Sequence, residues 1–322
     1  MDITRNTRNA KNELMTYFRS ESENLKSILN QKLDHKGKAK ILNSKLVSCK
    51  EELILATKKK AAEENWTKIE LLECILMITY CNYVVMLETR NSVWAYEYMA
   101  FSRRIGELWE PFCKLAFEYP INDLELFTPP SFSDIKNRVT SEFTNKINEL
   151  DILDNKKESL INSYLAVWEM VTSGEIQMNL DLHFKIGIEK YVVDFKSGFG
   201  SNEKGNTNRL LLVAQIYHDL NDNYNPLLFV RSMENNNYFN TLKNSGIWNA
   251  YSGADTYVEI YKYSGYNIKE WIDNNIDWEN DLSQDFVAHL RINIYYNISH
   301  GRKSTKISSL LYKIKFNSDL YD

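Results

Sequence analysis

The stretch from Met178 to Gly200, MNLDLHFKIGIEKYVVDFKSGFG, constrains the fold of this chain more than any other, because two runs of period two flank a glycine. Only an extended strand satisfies that period. Along the first run Met178, Leu180, Leu182 and Phe184 form an apolar face, leaving Asn179, Asp181 and His183 on the other. In the second run Tyr191, Val193 and Phe195 share one face, and Val192, Asp194 and Lys196 share the opposite one. Gly187-Ile188-Glu189-Lys190 between them reads as a tight hairpin, with glycine supplying an unusual backbone angle. An even-length loop makes cross-strand partners sum to an odd number, which puts Asp181 on the face of Asp194 and Lys196; an odd loop sends it to the wrong side.

Such a cluster has a chemistry. Two neighbouring carboxylates repel, and a hard divalent cation such as Mg2+, with its preference for oxygen ligands, relieves the repulsion. The ion lowers the pKa of a water and offsets charge on phosphoryl oxygens, and Lys196 is a compact cation placed to orient that water or stabilise the pentavalent phosphate. Phosphodiester hydrolysis is the reaction class that follows. An acid two residues before a lysine is by itself a weak signal, since Asp34-His35-Lys36, Asp134-Ile135-Lys136 and Asp154-Asn155-Lys156 share it. Those three lie in polar, helix-like or loop-like sequence, whereas Asp194 ends an apolar strand and precedes a glycine loop.

Asp181, followed thirteen residues later by Asp194-Phe195-Lys196, resembles the PD-(D/E)XK nuclease superfamily and, within it, the type II restriction endonucleases, over roughly residues 100 to 265. Leu180 stands where the motif has its proline. The resemblance implies a mixed α/β (α+β) fold with an α-β-β-β-α-β core, Asp181 and Asp194 as metal-binding acids, and Lys196 as the catalytic lysine. It further implies Mg2+ as cofactor, double-stranded DNA as substrate, a homodimer with one site per strand, and a companion DNA methyltransferase. Glu107 or Glu110, on the helix expected over 102–112, is the glutamate that such enzymes place near the metal; the two share a helical face, and Pro111 is expected to kink or restart that helix. Glu169 and Glu175 are the alternatives. A repair, junction or phage-defence nuclease of the same fold, and a non-catalytic DNA-binding or assembly module, are the rival readings.

The flanking sequence agrees with that plan. Asn206 or Thr207 is expected to cap a helix running to about Leu220, followed by strands at Pro226–Arg231 and Thr256–Tyr261. Residues 1–95 read as helices over about 9–32, 38–64 and 66–87, with Gly37 as a break, forming a region that embraces DNA or joins subunits. Residues 96–322 then hold the nuclease core, with a helical insertion at about 132–172. Arg103, Arg104, Lys204, Arg231, Asn235 and Lys243 are the candidate DNA contacts, chemically suited to phosphates and base edges.

Other chemistries find less support. His183 shares the polar face with Asp181, but a strand histidine is more often structural. Cys49, Cys74, Cys81 and Cys113 have no zinc spacing and read as reduced, buried thiols in a cytoplasmic protein. The glycines after Lys196 form no nucleotide-binding fingerprint. No apolar run approaches the ~20 residues that span a bilayer, and no membrane partner is expected. The formal charge of −4 leaves any DNA affinity to local basic surface.

Overall fold

A computed structural model describes residues 7–28, 33–171, 178–200, 203–220, 222–233 and 235–290. The chain opens with α1 (Thr7–Ile28), α2 (His35–Glu63), α3 (Lys68–Val93) and α4 (Tyr98–Glu118). Then come β1 (Glu125–Leu126), α5 (Phe132–Asn148), α6 (Asp154–Val171), β2 (Leu182–Ile186) and β3 (Glu189–Lys196). After them follow α7 (Lys204–Asp219), β4 (Tyr224–Val230), α8 (Asn237–Lys243), β5 (Asn249–Ser252), α9 (Ala254–Ser264), α10 (Ile268–Asn275), α11 (Trp278–Asp281) and α12 (Gln284–His289). The fold is mixed α/β and mostly helical, around one five-stranded sheet in the order β1-β2-β3-β4-β5. β1, β2 and β3 pair antiparallel, and β3, β4 and β5 pair parallel.

Alternation along the strands gives the sheet two dry faces. Leu182, Phe184, Val193, Phe195, Leu227 and Phe229 enter one cluster with α4, α9, α10 and the amino-terminal helices. Val192, Leu228, Val230 and Ala250 enter the other, beneath α7, α8 and the start of α5. Both faces are therefore covered, as parallel pairing requires.

The amino-terminal helices share the first cluster without a break. α3 is its axis: Thr67 and Glu70 close a capping box at its start, and residues 74–87 are buried. α3 is long and apolar enough to cross a membrane by length and composition, but 78% of its most apolar window lies inside the fold, where α1, α2 and α4 cover it. At 0% exposure, Asn82 is tolerated there because its Nδ2 donates to Leu46 O at 2.8 Å.

Several expected boundaries move. α2 starts before Gly37, since Asp34 accepts from Gly37 N at 2.7 Å and caps the helix. α4 runs through Pro111, whose exposure leaves the freed carbonyl one turn back to solvent. α7 begins at Lys204, ahead of both expected caps; Asn206 instead donates to Glu203 Oε2 at 3.0 Å, and Thr207 is buried. The strand expected at Thr256–Tyr261 is α9: Thr256, Tyr257, Ile260, Tyr263 and Ser264 are buried at helical spacing, while Val258 and Tyr261 are exposed. A β-branched and aromatic run mimicked a strand, and tertiary burial on one helical stripe decided otherwise. β5, four residues earlier, is the strand that pairs there.

Candidate active site

The turn sets the site. Gly187 and Ile188 are the two loop residues between the Ile186–Glu189 pair, with Gly187 at φ +59° and Ile188 left in solvent. Positive φ at the first turn position alone is the glycine-led form of two-residue hairpin. The loop is even, and the register Leu182↔Val193, extended by one step, sets Asp181 opposite Asp194. The expected parity is thus met by a loop of two residues.

The first strand is shorter than its alternation suggested. The chain bends at Asp181, and Met178 and Leu180 pack into the α7-side cluster, opposite the face that takes Leu182 and Phe184. The bend has a chemical cause: Asp181 Oδ2 accepts from Phe195 N at 2.7 Å, so a side chain takes the place of a backbone carbonyl in the ladder. His183 supports the same bend, its Nε2 accepting from Leu180 N at 3.3 Å. Burial pulls the His183 pKa down to about 4, Asp181 partly opposing, so the ring is a neutral structural acceptor.

Asp194 is 1% exposed on the α7 face of β3. Lys196 Nζ lies 2.8 Å from its Oδ2, and Arg209 Nη2 of α7 lies 3.5 Å from its Oδ1. Oδ2 is sealed from solvent and accepts no well-directed hydrogen bond. Burial pushes the Asp194 pKa up to about 6; Lys196 pulls against that, Asp181 adds to it, and Arg209 pulls down again. Two acids and two cations thus face one another at the carboxyl end of β3.

Arg209 escaped the sequence reading. Its signal was there: Asn206 and Arg209 are three apart on the helix after the strand, bordering the stripe of Thr207, Leu210, Val213, Ala214 and Tyr217 that faces the sheet. Arg209 Nε and Nη2 donate to Asn206 Oδ1, each at 3.4 Å, which steadies the guanidinium toward β3. Because Arg209 holds the Asp194 pKa down, Arg209→Met should move the acid limb of any Asp194-dependent activity to higher pH. A pH–rate series on both proteins measures this, and coincident limbs would remove Arg209 from the site.

The α4 glutamates are engaged by basic side chains of their own helix. Phe195 points away from Asp194, and it is Phe195 that meets α4, with its ring 5.6 Å from that of Trp109. Glu107 pairs with Arg103 at 3.3 Å and Arg104 at 3.2 Å, and Glu110 with Lys114 at 2.7 Å. Among the described residues no three His, Cys, Asp or Glu side chains gather as a metal cluster. Glu169 is in α6, its side chain outside the described atoms, and Glu175 lies outside the described residues.

Several of the candidate DNA contacts have partners of their own. Arg103 and Arg104 are both offset by Glu107, Lys204 is exposed at the start of α7, and Lys243 ends α8 with its ammonium 6.0 Å from the Phe239 ring. Asn235 has both ends of its amide in use, accepting from Phe199 N at 2.9 Å and donating to Ser232 O at 2.7 Å. It staples the loop after β3 to the loop after β4. Arg231 follows β4 on the α4 side of the sheet.

The competing acid-x-lysine matches all sit at helix starts. Asp34 caps α2, Asp134 forms a capping box with Ser131 on α5, and Asp154 lies in the first turn of α6. Helix polarity and capping account for them. The thiols are free, with Cys74, Cys81 and Cys113 buried, and burial pushes the Cys74 pKa up to about 12. Compared with family models, curated proteins and solved structures, the chain has no match.

Proposed function

We propose that this chain is a Mg2+-dependent endonuclease of double-stranded DNA, of the site-specific restriction type, acting as a homodimer. The observation that carries the reading is the sealed Asp194 carboxylate, paired with Lys196 two residues on and set opposite Asp181 across a hairpin. The element order supports it: α4, β1, β2, β3, α7 and β4 follow the expected α-β-β-β-α-β plan, with α5 and α6 inserted after β1.

The donor set fits a hard cation. Asp181 commits only Oδ2 to the ladder, and Asp194 has Oδ2 paired with Lys196 at 2.8 Å and Oδ1 no nearer than 3.5 Å to Arg209, so Oδ1 of each acid is the oxygen that an oxygen-preferring ion would take. Asp181 and Asp194 would hold Mg2+. When bound, that ion supplies charge to offset the phosphoryl oxygens and acidity to a water. Lys196 supplies a fixed ammonium beside Asp194, able to orient a nucleophilic water and to face the negative charge that builds on phosphorus. Arg209 favours the ionised form of Asp194, the form that can bind a cation. Phe195 N, through its bond to Asp181, holds that acid in line with β3.

The test is digestion of supercoiled plasmid and unmodified linear DNA with Mg2+. Discrete fragments support a site-specific enzyme, and sequencing their ends gives the site. Smearing or nicking transfers the reading to a structure- or modification-directed nuclease, and binding without cleavage transfers it to an assembly module.

A further inference from the structure

The turn from α3 to α4 sets an aromatic ring in solvent with arginines beside it. Among the described tryptophan side chains only Trp94 is exposed, at 44%. It ends α3 in extended backbone. The Arg90 guanidinium lies 4.2 Å from the Trp94 ring centroid and 4.0 Å from that of Tyr96, and it donates to Trp94 O. Tyr96 is the buried anchor: its amide donates to Asn91 Oδ1 at 2.9 Å, and its ring meets Phe101 at 5.6 Å and Phe286 at 6.2 Å, centroid to centroid. The indole is thus held by a cation that is itself held against a buried ring, while much of the indole stays in water.

The arginines continue onto α4. Burial raises the Tyr96 pKa, and Arg104 and then Arg90 pull against it, which sets both guanidiniums at the phenol. Arg104 shares Glu107 with Arg103, at 3.2 and 3.3 Å, so two cations divide one carboxylate. With the exposed Glu97 at the α4 N-cap counted in, three guanidiniums stand against two carboxylates. The Arg103 side chain keeps 79% of its surface in solvent. Positive charge around an open aromatic face suits a chain of phosphates that carries flat bases, because the ring stacks on any base and the cations meet the backbone. α4 also leads from these arginines to the candidate active site. Gly106 is one turn on from Arg103, ~4.5 Å along the axis, and shares its helical face. A Cβ on Gly106 would come within 3.2 Å of the Cβ of Ser197, the residue after Lys196.

We propose that Trp94, backed by Arg90, stacks an unpaired base of single-stranded DNA, with Arg103 on the adjoining phosphate and the strand running along α4 toward Lys196. The platform needs neither a metal nor the aspartates, so it stands or falls apart from the duplex-cutting reading above.

The test is fluorescence anisotropy of the full chain with a labelled oligothymidylate, in chelator so that no strand is cut. Trp94→Ala should weaken binding at least ~10-fold, the loss of one base stack. Trp94→Phe keeps a π face and should recover most of the affinity; Trp94→Leu keeps apolar bulk without one and should not. Arg103→Ala should flatten the dependence of log affinity on log salt by about 0.7, the single-strand value for one phosphate, at an unchanged Tm, because its side chain is exposed. Stacking should also quench tryptophan fluorescence in the parent and not in Trp94→Phe. If Trp94→Ala fails to fold, the Phe and Leu variants and Arg103→Ala decide. Trp94→Leu binding as tightly as Trp94→Phe, quenching that persists in Trp94→Phe, or an unchanged salt slope in Arg103→Ala would each overturn the proposal. A duplex of the same length that competes as well as the single strand would overturn it too, since a paired base offers no free face. A parent that does not bind oligothymidylate overturns it outright and leaves Trp94 and Arg90 as a protein contact.

Discussion

Asp194→Asn and Lys196→Ala should each lower Mg2+-dependent cleavage of duplex DNA by at least ~100-fold, the loss typical of removing one preorganised charged group from a reacting centre. Both variants should still bind duplex, because neither group is needed to neutralise the flanking phosphates. Cleavage at the parent rate in either one would sink the site assignment. The same acid gives a second readout that needs no substrate. With a folded pKa of about 6 against an ordinary 3.8, Asp194 holds its proton to higher pH in the metal-free fold than in the unfolded chain. Its contribution to stability is complete below pH ~4 and is lost as pH rises through ~6. Metal-free Tm should therefore fall over that window, and Asp194→Asn, which copies the neutral acid, should flatten the fall. Mg2+ binds the ionised acid, so added Mg2+ should raise Tm above pH 6 in the parent and have no such effect in the variant.

Trp109→Ala should cost about 3–5 kcal/mol of stability in urea unfolding, the range for truncating a buried aromatic. Trp109 is fully buried, with Phe195 of β3 5.6 Å and Tyr257 of α9 6.5 Å from it, centroid to centroid, and it donates to Tyr257 Oη. Phe195 lies between Asp194 and Lys196 in sequence, so a cavity behind it loosens the strand that carries the proposed chemistry. Cleavage should fall along with stability. Trp109→Phe keeps a six-membered ring in the site but loses the donor and the rest of the indole, and should cost less than Trp109→Ala. Equal losses in the two variants would mean that the part of the indole bearing the donor, and not the remaining ring, holds α4 to the sheet.

The hairpin and its acid pair were legible because a period of two and a glycine turn leave few registers to choose from. Asp181 and Asp194 face each other through loop parity alone. The bend at Asp181 was not legible, since it depends on the Asp181 carboxylate replacing a carbonyl in the ladder. Met178 and Leu180 keep an alternation that the backbone no longer follows, and so they belong to a different core from Leu182. α9 was misread because Thr-Tyr-Val-Glu-Ile-Tyr satisfies strand propensity, and its exposed Val258 and Tyr261 are what reveal the helical stripe. Glu107 and Glu110 were placed by resemblance, but local ion pairs on α4 claim them. Arg209 shows the converse, a residue whose spacing was visible but whose partner, Asp194, is fifteen residues away through a loop.

The undivided cluster that joins the amino-terminal helices to the sheet has a mechanical meaning. α3 lies against α4, α4 lies against Phe195, and buried residues of the described amino-terminal helices share one cluster with those of the strand bearing Asp194. Any swing of that helical region as a clamp would strip water-excluding cover from the back of the strand bearing Asp194. Through the contacts of α1 with α3, α3 with α4 and α4 with Phe195, a displacement at α1 or α3 is passed to β3 by packed side chains.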